Sequence, residues 1–284
     1  MAPLIVIVGP TASGKSSLAM SIAERFGGEI ICADSRTIYK GMDIGTAKPS
    51  KEDQAKIPHW GLDLVEPGEP FSAADFKEYA NKKIAEIRSR GNIPLLVGGS
   101  GLYINGVIFD YDFQPAHPEL REQLESLTVD ELKKYCFENN ITLPENDKNK
   151  RYLIRAIERQ NGHSTDDNTL IADCIIVGIT TEKSTLINRI HARSEQLFEL
   201  GMVEEASRLG EKYGWESEAM TGNIYRLVHQ FIKKELTESE LKQKNETSDW
   251  RLAKRQLTWF KRNPHIHWCE LENAEQYLAQ HLAQ

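Results

Sequence analysis

The chain reads as an α/β fold, a parallel sheet flanked by helices and interrupted by a helical insertion. Three observations predict it. Apolar runs bounded by Gly and Asp recur at Leu4 to Val8, Glu29 to Ala33, Ile93 to Val97 and Asp173 to Ile179, the pattern of strands buried on both faces. Helical spacing fills the gaps between them, as βαβ units require. From Phe113 the texture changes: Pro115 and Pro118 break the chain and polar helical patterns replace strands. The expected organisation is a core in two parts, residues 1–112 and 168–284, with a helical insertion over 113–167.

The first strand runs into Gly9-Pro10-Thr11-Ala12-Ser13-Gly14-Lys15-Ser16, which fits G-x-x-x-x-G-K-[ST]. A helical pattern follows directly, Ser17 to Ala23. Strand, loop and helix in that order make the motif a phosphate-binding loop and the fold P-loop NTPase-like. The glycines let the backbone curl so that N–H groups point inward at phosphate oxygens. The helix N-terminus adds partial positive charge. Lys15 supplies a full one, and the Ser16 hydroxyl can hold Mg²⁺. A nucleoside triphosphate or any diphosphate ester fits such a cradle.

The helix ends near Gly27-Gly28. The second strand, Glu29 to Ala33, delivers Asp34-Ser35-Arg36 to its carboxyl end, where open α/β sheets place ligands. Tyr39 to Pro70 is rich in Gly, Pro and Asp and reads as long loops. Ser72 and Asp75 fit a capping box for a helix with Phe76, Tyr79, Ala80, Ile84 and Ile87 on one face. The third strand ends in Gly98-Gly99-Ser100-Gly101. In the insertion, Thr128 and Glu131 form a second capping box and Asp147 to Gln160 reads as a helix. Helices then dominate to about Asn263, followed by a short strand, His265 to Cys269, and a terminal helix.

Composition narrows the function. The chain has 284 residues, 40% hydrophobic, and a net charge of −7, so it is no generic nucleic-acid binder. Two segments break that acidity. Lys148, Arg151, Arg155 and Arg159 recur at helical spacing with Glu158 the only acid among them. Arg251, Lys254, Arg255 and Arg262 flank a Trp250/Ala253/Leu257/Phe260 stripe with no acid between Trp250 and Arg262. They read as solvated faces or as the docking face for a polyanion such as RNA. The four cysteines are far apart, which points to a reducing cytoplasm rather than disulfides or zinc. We see no signal peptide and no membrane segment. Asp34 reads as a proton acceptor, as a water-mediated Mg²⁺ ligand, or as a turn residue. Arg189 and Arg193 read as surface arginines or as a charge clamp on a leaving diphosphate. His265 and His267 alternate on the expected last strand but have no third ligand.

Taken together these blocks resemble the tRNA dimethylallyltransferase family, bacterial type. The resemblance rests on the phosphate loop; on Ala33-Asp34-Ser35-Arg36, Tyr39 and Gly41 to Pro49; on Glu69 to Ser72; on Gly98 to Tyr103; and on Ala253 to Phe260. It implies that the loop binds dimethylallyl diphosphate rather than ATP. It implies that Asp34 orients or deprotonates the N6 amine of adenine 37, and that Lys15, Ser100 and Arg193 serve the diphosphate. It implies that Asp34, Ser35, Arg36, Thr37, Ser100, Arg151, Arg155, Lys254, Arg255 and Gln256 meet the tRNA, with the insertion gripping the anticodon stem-loop. The chain departs from the family pattern at Pro58 to Gly61, Arg36, Tyr152 and Ala219 to Tyr225. The expectation is a cytoplasmic, monomeric, Mg²⁺-using prenyltransferase. The competing reading is an ATP-dependent P-loop small-molecule kinase, which explains the loop and Asp34 but not the basic helix.

Overall fold

All five residues of β1 (Leu4–Val8) are buried, so this strand needs a neighbour on each edge and a helical layer on each face. A computed structural model supplies both, and describes residues 2–113, 118–159 and 169–283. In chain order β1 is followed by α1 (Lys15–Phe26), β2 (Gly28–Ala33), α2 (Lys51–Lys56), β3 (His59–Trp60), α3 (Ala73–Ser89), β4 (Ile93–Gly98) and α4 (Gly101–Ile108). Then come α5 (Pro118–Ser126), α6 (Val129–Glu138), α7 (Lys150–Arg159), β5 (Cys174–Ile179), α8 (Lys183–Glu199) and α9 (Met202–Tyr213). A 3₁₀ turn (Ala219–Thr221), α10 (Asn223–Ile232), α11 (Glu238–Phe260), β6 (His267–Cys269) and α12 (Leu271–Leu282) complete the described elements.

The six strands form one sheet in the order β3-β2-β4-β1-β5-β6, and every pairing is parallel. β4 is inserted between β1 and β2, although α1 joins those two directly. The register then decides where the site falls. Val8 pairs with Gly98, and Gly98 pairs with Ala33. The phosphate loop, the Gly98-Gly99-Ser100 turn and Asp34 therefore all leave the sheet at one level on its carboxyl edge, the crevice where α/β folds hold ligands. Parallel neighbours lie about 4.8 Å apart, so the ends of β1 and β2 are roughly 10 Å apart with β4 between them.

Leu18, Ala19, Ile22 and Ala23 of α1 and Ala274 and Leu278 of α12 cover one side of the sheet with Ile5, Ile7, Leu95 and Val177. Gly27 at φ +71 caps α1 in the left-handed conformation, ending the helix where its apolar face ends. The Ser72 box starts α3 as read from the sequence, and its Phe76 ring stacks on Tyr103 of α4 with centroids 4.3 Å apart. A second core joins Ile38, Tyr39 and Met42 to α9 and α10.

Contacts divide the chain into two compact units, Met1–Asp110 with Leu170–Gln284, and Tyr111–Thr169. In the second unit Leu124, Leu132, Cys136, Leu153, Ile154 and Ile157 form a core of their own. Glu158 is buried there and accepts hydrogen bonds from Nε and Nη2 of Arg121, each at 2.9 Å. Pro115, Gln160 and Asp167 lie outside the described residues.

Three expectations are corrected. The stretch from Tyr39 to Pro70 contains α2 and β3; Ser50 caps α2, and β3 is a two-residue strand that exists by pairing with Ile30 and Ile31. The helix expected from Asp147 starts at Lys150, because Asn149 accepts the Arg151 N–H at 3.0 Å and turns the chain first. Lys148 therefore precedes that helix. The last strand starts at His267; His265 sits in a turn beside Phe109, whereas His267 stacks on Tyr277, so the two histidines share no face. Among the described residues no helix is long and apolar enough to cross a membrane.

Candidate active site

The phosphate loop takes the shape its glycines allow. Gly14 has φ +96 at the start of α1, and a Cβ there would lie 3.0 Å from Leu271. Ala12 also holds a left-handed φ of +61, a conformation costing an alanine on the order of 1 kcal/mol. Such strain persists only where neighbours hold it, and here they do. The Thr11 N–H donates to Gln256 Oε1 at 2.8 Å. The Thr11 hydroxyl accepts from Arg193 Nη1. Arg189 Nη1 donates to the Ser13 carbonyl at 3.2 Å. Both α8 arginines thus reach the loop; Arg189 does so from an exposed position, and only half-buried Arg193 departs from the reading of a surface arginine. The residues they need are about 180 positions away, beyond any spacing rule.

Lys15 folds back and donates to the Pro10 carbonyl at 2.6 Å. Burial first and the Arg193 charge second bring its pKa down to about 8, with Asp34 opposing both. These three charged groups therefore sense one another across the strand ends. Ser13 Oγ and Arg193 Nε are buried with no hydrogen-bond partner in the structure. Unpaired buried donors beside a phosphate loop are the polar atoms that a bound anion would satisfy. Ser16 is exposed at the start of α1.

Asp34 follows β2 directly and is half-buried. Its Oδ1 accepts the Arg36 N–H at 2.8 Å, which fixes the turn and leaves Oδ2 for another donor. Ser100 Oγ accepts the Ser35 N–H at 2.9 Å and thereby ties the β4 turn to the β2 turn. Thr37 is buried and donates to the Asp34 carbonyl at 3.3 Å, a contact internal to the turn. Arg36 donates to the Glu218 carbonyl at 3.1 Å and reaches Ala219 at 3.4 Å. Two departures from the family pattern, at Arg36 and at Ala219, therefore meet each other.

On α11, Lys254 and Arg255 are exposed, whereas Gln256 turns inward to the loop. Asp249, about two turns earlier, is half-buried; burial raises its pKa and Arg193 opposes the rise. In the second unit, Arg151 is exposed on α7, and Arg155 pairs with buried Glu158 at 3.0 Å. Glu158 thus offsets part of the positive charge read along that helix.

Sequence reasoning missed two groups. Gln256 was expected at the RNA, not on Thr11. Glu205 accepts the N–H groups of Asp43, Ile44 and Gly45 at 2.8–2.9 Å and the Tyr225 hydroxyl at 2.9 Å, and so builds the loop after Tyr39. An acidic residue at an apolar position of α9 was the available signal.

A family model described as IPP transferase matches residues 37–263. The tRNA dimethylallyltransferase of Moorella thermoacetica is 37% identical over 292 residues, covering 95% of this chain and 90% of that protein. The enzyme of the same name from Staphylococcus carnosus is 35% identical, covering 94% and 90%. The solved tRNA isopentenylpyrophosphate transferase of Bacillus halodurans matches with a TM-score of 0.76 at 32% identity, over 100% of this chain and 97% of that one. A eukaryotic dimethylallyltransferase acting on tRNA has a TM-score of 0.79 at 22% identity, over 95% and 74%, and shares the fold. A phosphate loop set beside a carboxylate on one sheet edge, and a match running from Thr37 to Asn263, lead to one conclusion: the chain belongs to the IPP transferase family.

Proposed function

We infer that the protein transfers a dimethylallyl group from dimethylallyl diphosphate to N6 of adenine 37 in tRNA, releasing diphosphate. One observation carries the reading. The register Val8–Gly98–Ala33 sets the phosphate loop and Asp34 two strands apart on one edge, a gap of roughly 10 Å that a short prenyl chain can bridge.

The roles follow from the chemistry. Breaking the allylic carbon–oxygen bond leaves cationic character on carbon and new negative charge on the diphosphate. Loop N–H groups, Lys15 and Arg193 stabilise that charge as it develops. The exocyclic amine is a weak nucleophile because its lone pair is delocalised, and Asp34 orients it and takes its proton. Ser100 holds the Asp34 turn in place through Ser35. Lys254, Arg255 and Arg151 present charge to the RNA backbone. Gly9 to Ser16 surround the diphosphate. The exposed Ser16 hydroxyl is a hard oxygen donor at the loop's edge, which fits a Mg²⁺ that keeps most of its water. When bound there, Mg²⁺ would supply further neutralisation of the diphosphate. The protein acts as a cytoplasmic monomer in this reading.

The test is a paired assay: labelled dimethylallyl diphosphate with tRNA, and labelled ATP with the same protein. Label appearing in tRNA at adenine 37 is the expected outcome. Phosphate transfer from ATP with no prenyl transfer would replace the reading with the kinase.

A further inference from the structure

Gln256 is bonded at both ends of its amide. Oε1 accepts the Thr11 N–H at 2.8 Å, and Nε2 donates to the Gly99 carbonyl at 3.2 Å. The orientation of the amide is fixed by chemistry, since a backbone N–H faces one end and a carbonyl the other. Thr11 belongs to the phosphate loop. Gly99 precedes Ser100, whose hydroxyl accepts the N–H of Ser35, the neighbour of Asp34. A continuous bridge therefore runs from the loop through Gln256 and Ser100 to the Asp34 turn. The room for it comes from Gly99: a Cβ at that position would lie 2.1 Å from Gln256 Nε2. The Gly99 φ is not left-handed, so this glycine serves space and not backbone conformation. Gly101 does the same for the next turn of α11, where a Cβ would lie 2.2 Å from Trp259.

We propose that Gln256 is a positioning residue, which sets the spacing between the diphosphate loop and the Asp34 carboxylate and makes no contact with the RNA. The proposal rests on the prenyl-transfer reading above and replaces the expectation that Gln256 belongs to the tRNA face. Its neighbours Lys254 and Arg255 are exposed and remain available to a polyanion, whereas both polar atoms of Gln256 are engaged inward. Prenyl transfer tolerates little error in the distance between the leaving group and the amine, so a loosened bridge should lower the rate of the bound complex.

The experiment uses the full chain with Gln256→Met, which keeps shape and removes the amide, and with Gly99→Ala, which leaves Gln256 intact and pushes its amide away. Three quantities are read: kcat at saturating substrates, tRNA affinity, and inorganic pyrophosphate affinity by calorimetry. The expected result for both variants is a kcat loss of roughly tenfold or more, weaker pyrophosphate binding, and tRNA affinity within about twofold of the parent. A Gln256→Met variant with unchanged kcat and pyrophosphate affinity but weakened tRNA binding would overturn the proposal, as would Gly99→Ala at parental kcat. If either variant fails to fold, the other decides. The pyrophosphate measurement stands without catalysis, so a parent protein that transfers no prenyl group would sink the prenyl-transfer reading and still report on the bridge.

Discussion

The Lys15 ammonium donates to the carbonyl of Pro10 in its own loop, at 2.6 Å. The lysine is thus satisfied on backbone. Burial and the Arg193 charge bring its pKa from 10.5 down to about 8, against the pull of Asp34. The folded protein thus binds this proton less tightly than the unfolded chain does. Between pH 8 and 10.5 unfolding takes up a proton, so stability rises with pH across that window and the full cost of the buried charge is felt below it. Diphosphate binding has the opposite need, since it favours the protonated lysine. Pyrophosphate affinity should fall as pH rises through about 8, and Lys15→Arg should remove that break because guanidinium stays charged. Calorimetric titrations from pH 6.5 to 9.5 check it; a flat parental profile would refute it.

Asp34→Asn separates two jobs of one carboxylate. The amide keeps an oxygen for the Arg36 N–H, so the turn survives, but it accepts no proton from the amine. We expect kcat to fall about 10²–10⁴-fold with tRNA affinity retained. Because Asp34 raises the Lys15 pKa, the break in pyrophosphate affinity should also move to lower pH. Both readouts moving together identifies Asp34 as facing the loop; an unmoved break would place its carboxylate elsewhere.

How much of this the sequence disclosed depends on range. Strands β1, β2, β4 and β5 and the phosphate loop were legible because apolar runs and glycine spacing are local signals. The six-strand order was not, since nothing near Ala33 says that Gly98 will lie beside it. The ties that shape the site span long separations: Thr11 to Gln256, Thr11 to Arg193, Gly45 to Glu205. No periodicity encodes them. Asp34 was legible because a strand end is a place as well as a residue. The inward bonds of Gln256 were not legible because its flanking residues Lys254 and Arg255 are cationic and exposed, and an uncharged residue among cations gives no sign of which way it points. β3 was missed because two residues flanked by Pro58 and Gly61 carry no pattern of their own.

Arg193→Gln should act on the same pair of measurements with one sign reversed. It removes the donor to Thr11 and a charge near the diphosphate, so kcat should drop by roughly 10²–10³. Arg193 also depresses the Lys15 pKa, so its removal lets that pKa rise. The pyrophosphate break should therefore shift to higher pH, opposite to Asp34→Asn. A shift in the same direction for both variants would show that general loosening, and not charge, controls Lys15.

The departure at Trp60 has a stability consequence that leaves catalysis alone. Buried Glu29 accepts from Arg90 at 2.8 and 2.9 Å, from Asn92 at 2.8 Å and from Trp60 Nε1 at 2.7 Å. Burial alone would raise the Glu29 pKa, but the combined donors outweigh it and hold the carboxyl below its ordinary 4.5. A depressed folded pKa means that the stabilisation is present above the ordinary value and is lost as pH falls through the folded one. Trp60→Phe removes one donor to a charged acceptor, worth about 1.5–3 kcal/mol, while keeping an aromatic ring beside Lys83. Urea midpoints should thus be lower than the parent's at pH 7 and converge with it once the pH has fallen through the depressed Glu29 pKa, with kcat at pH 7 unchanged. A stability gap that stays constant into acid would mean that the indole acts here through packing, and that the Glu29 charge is held without it.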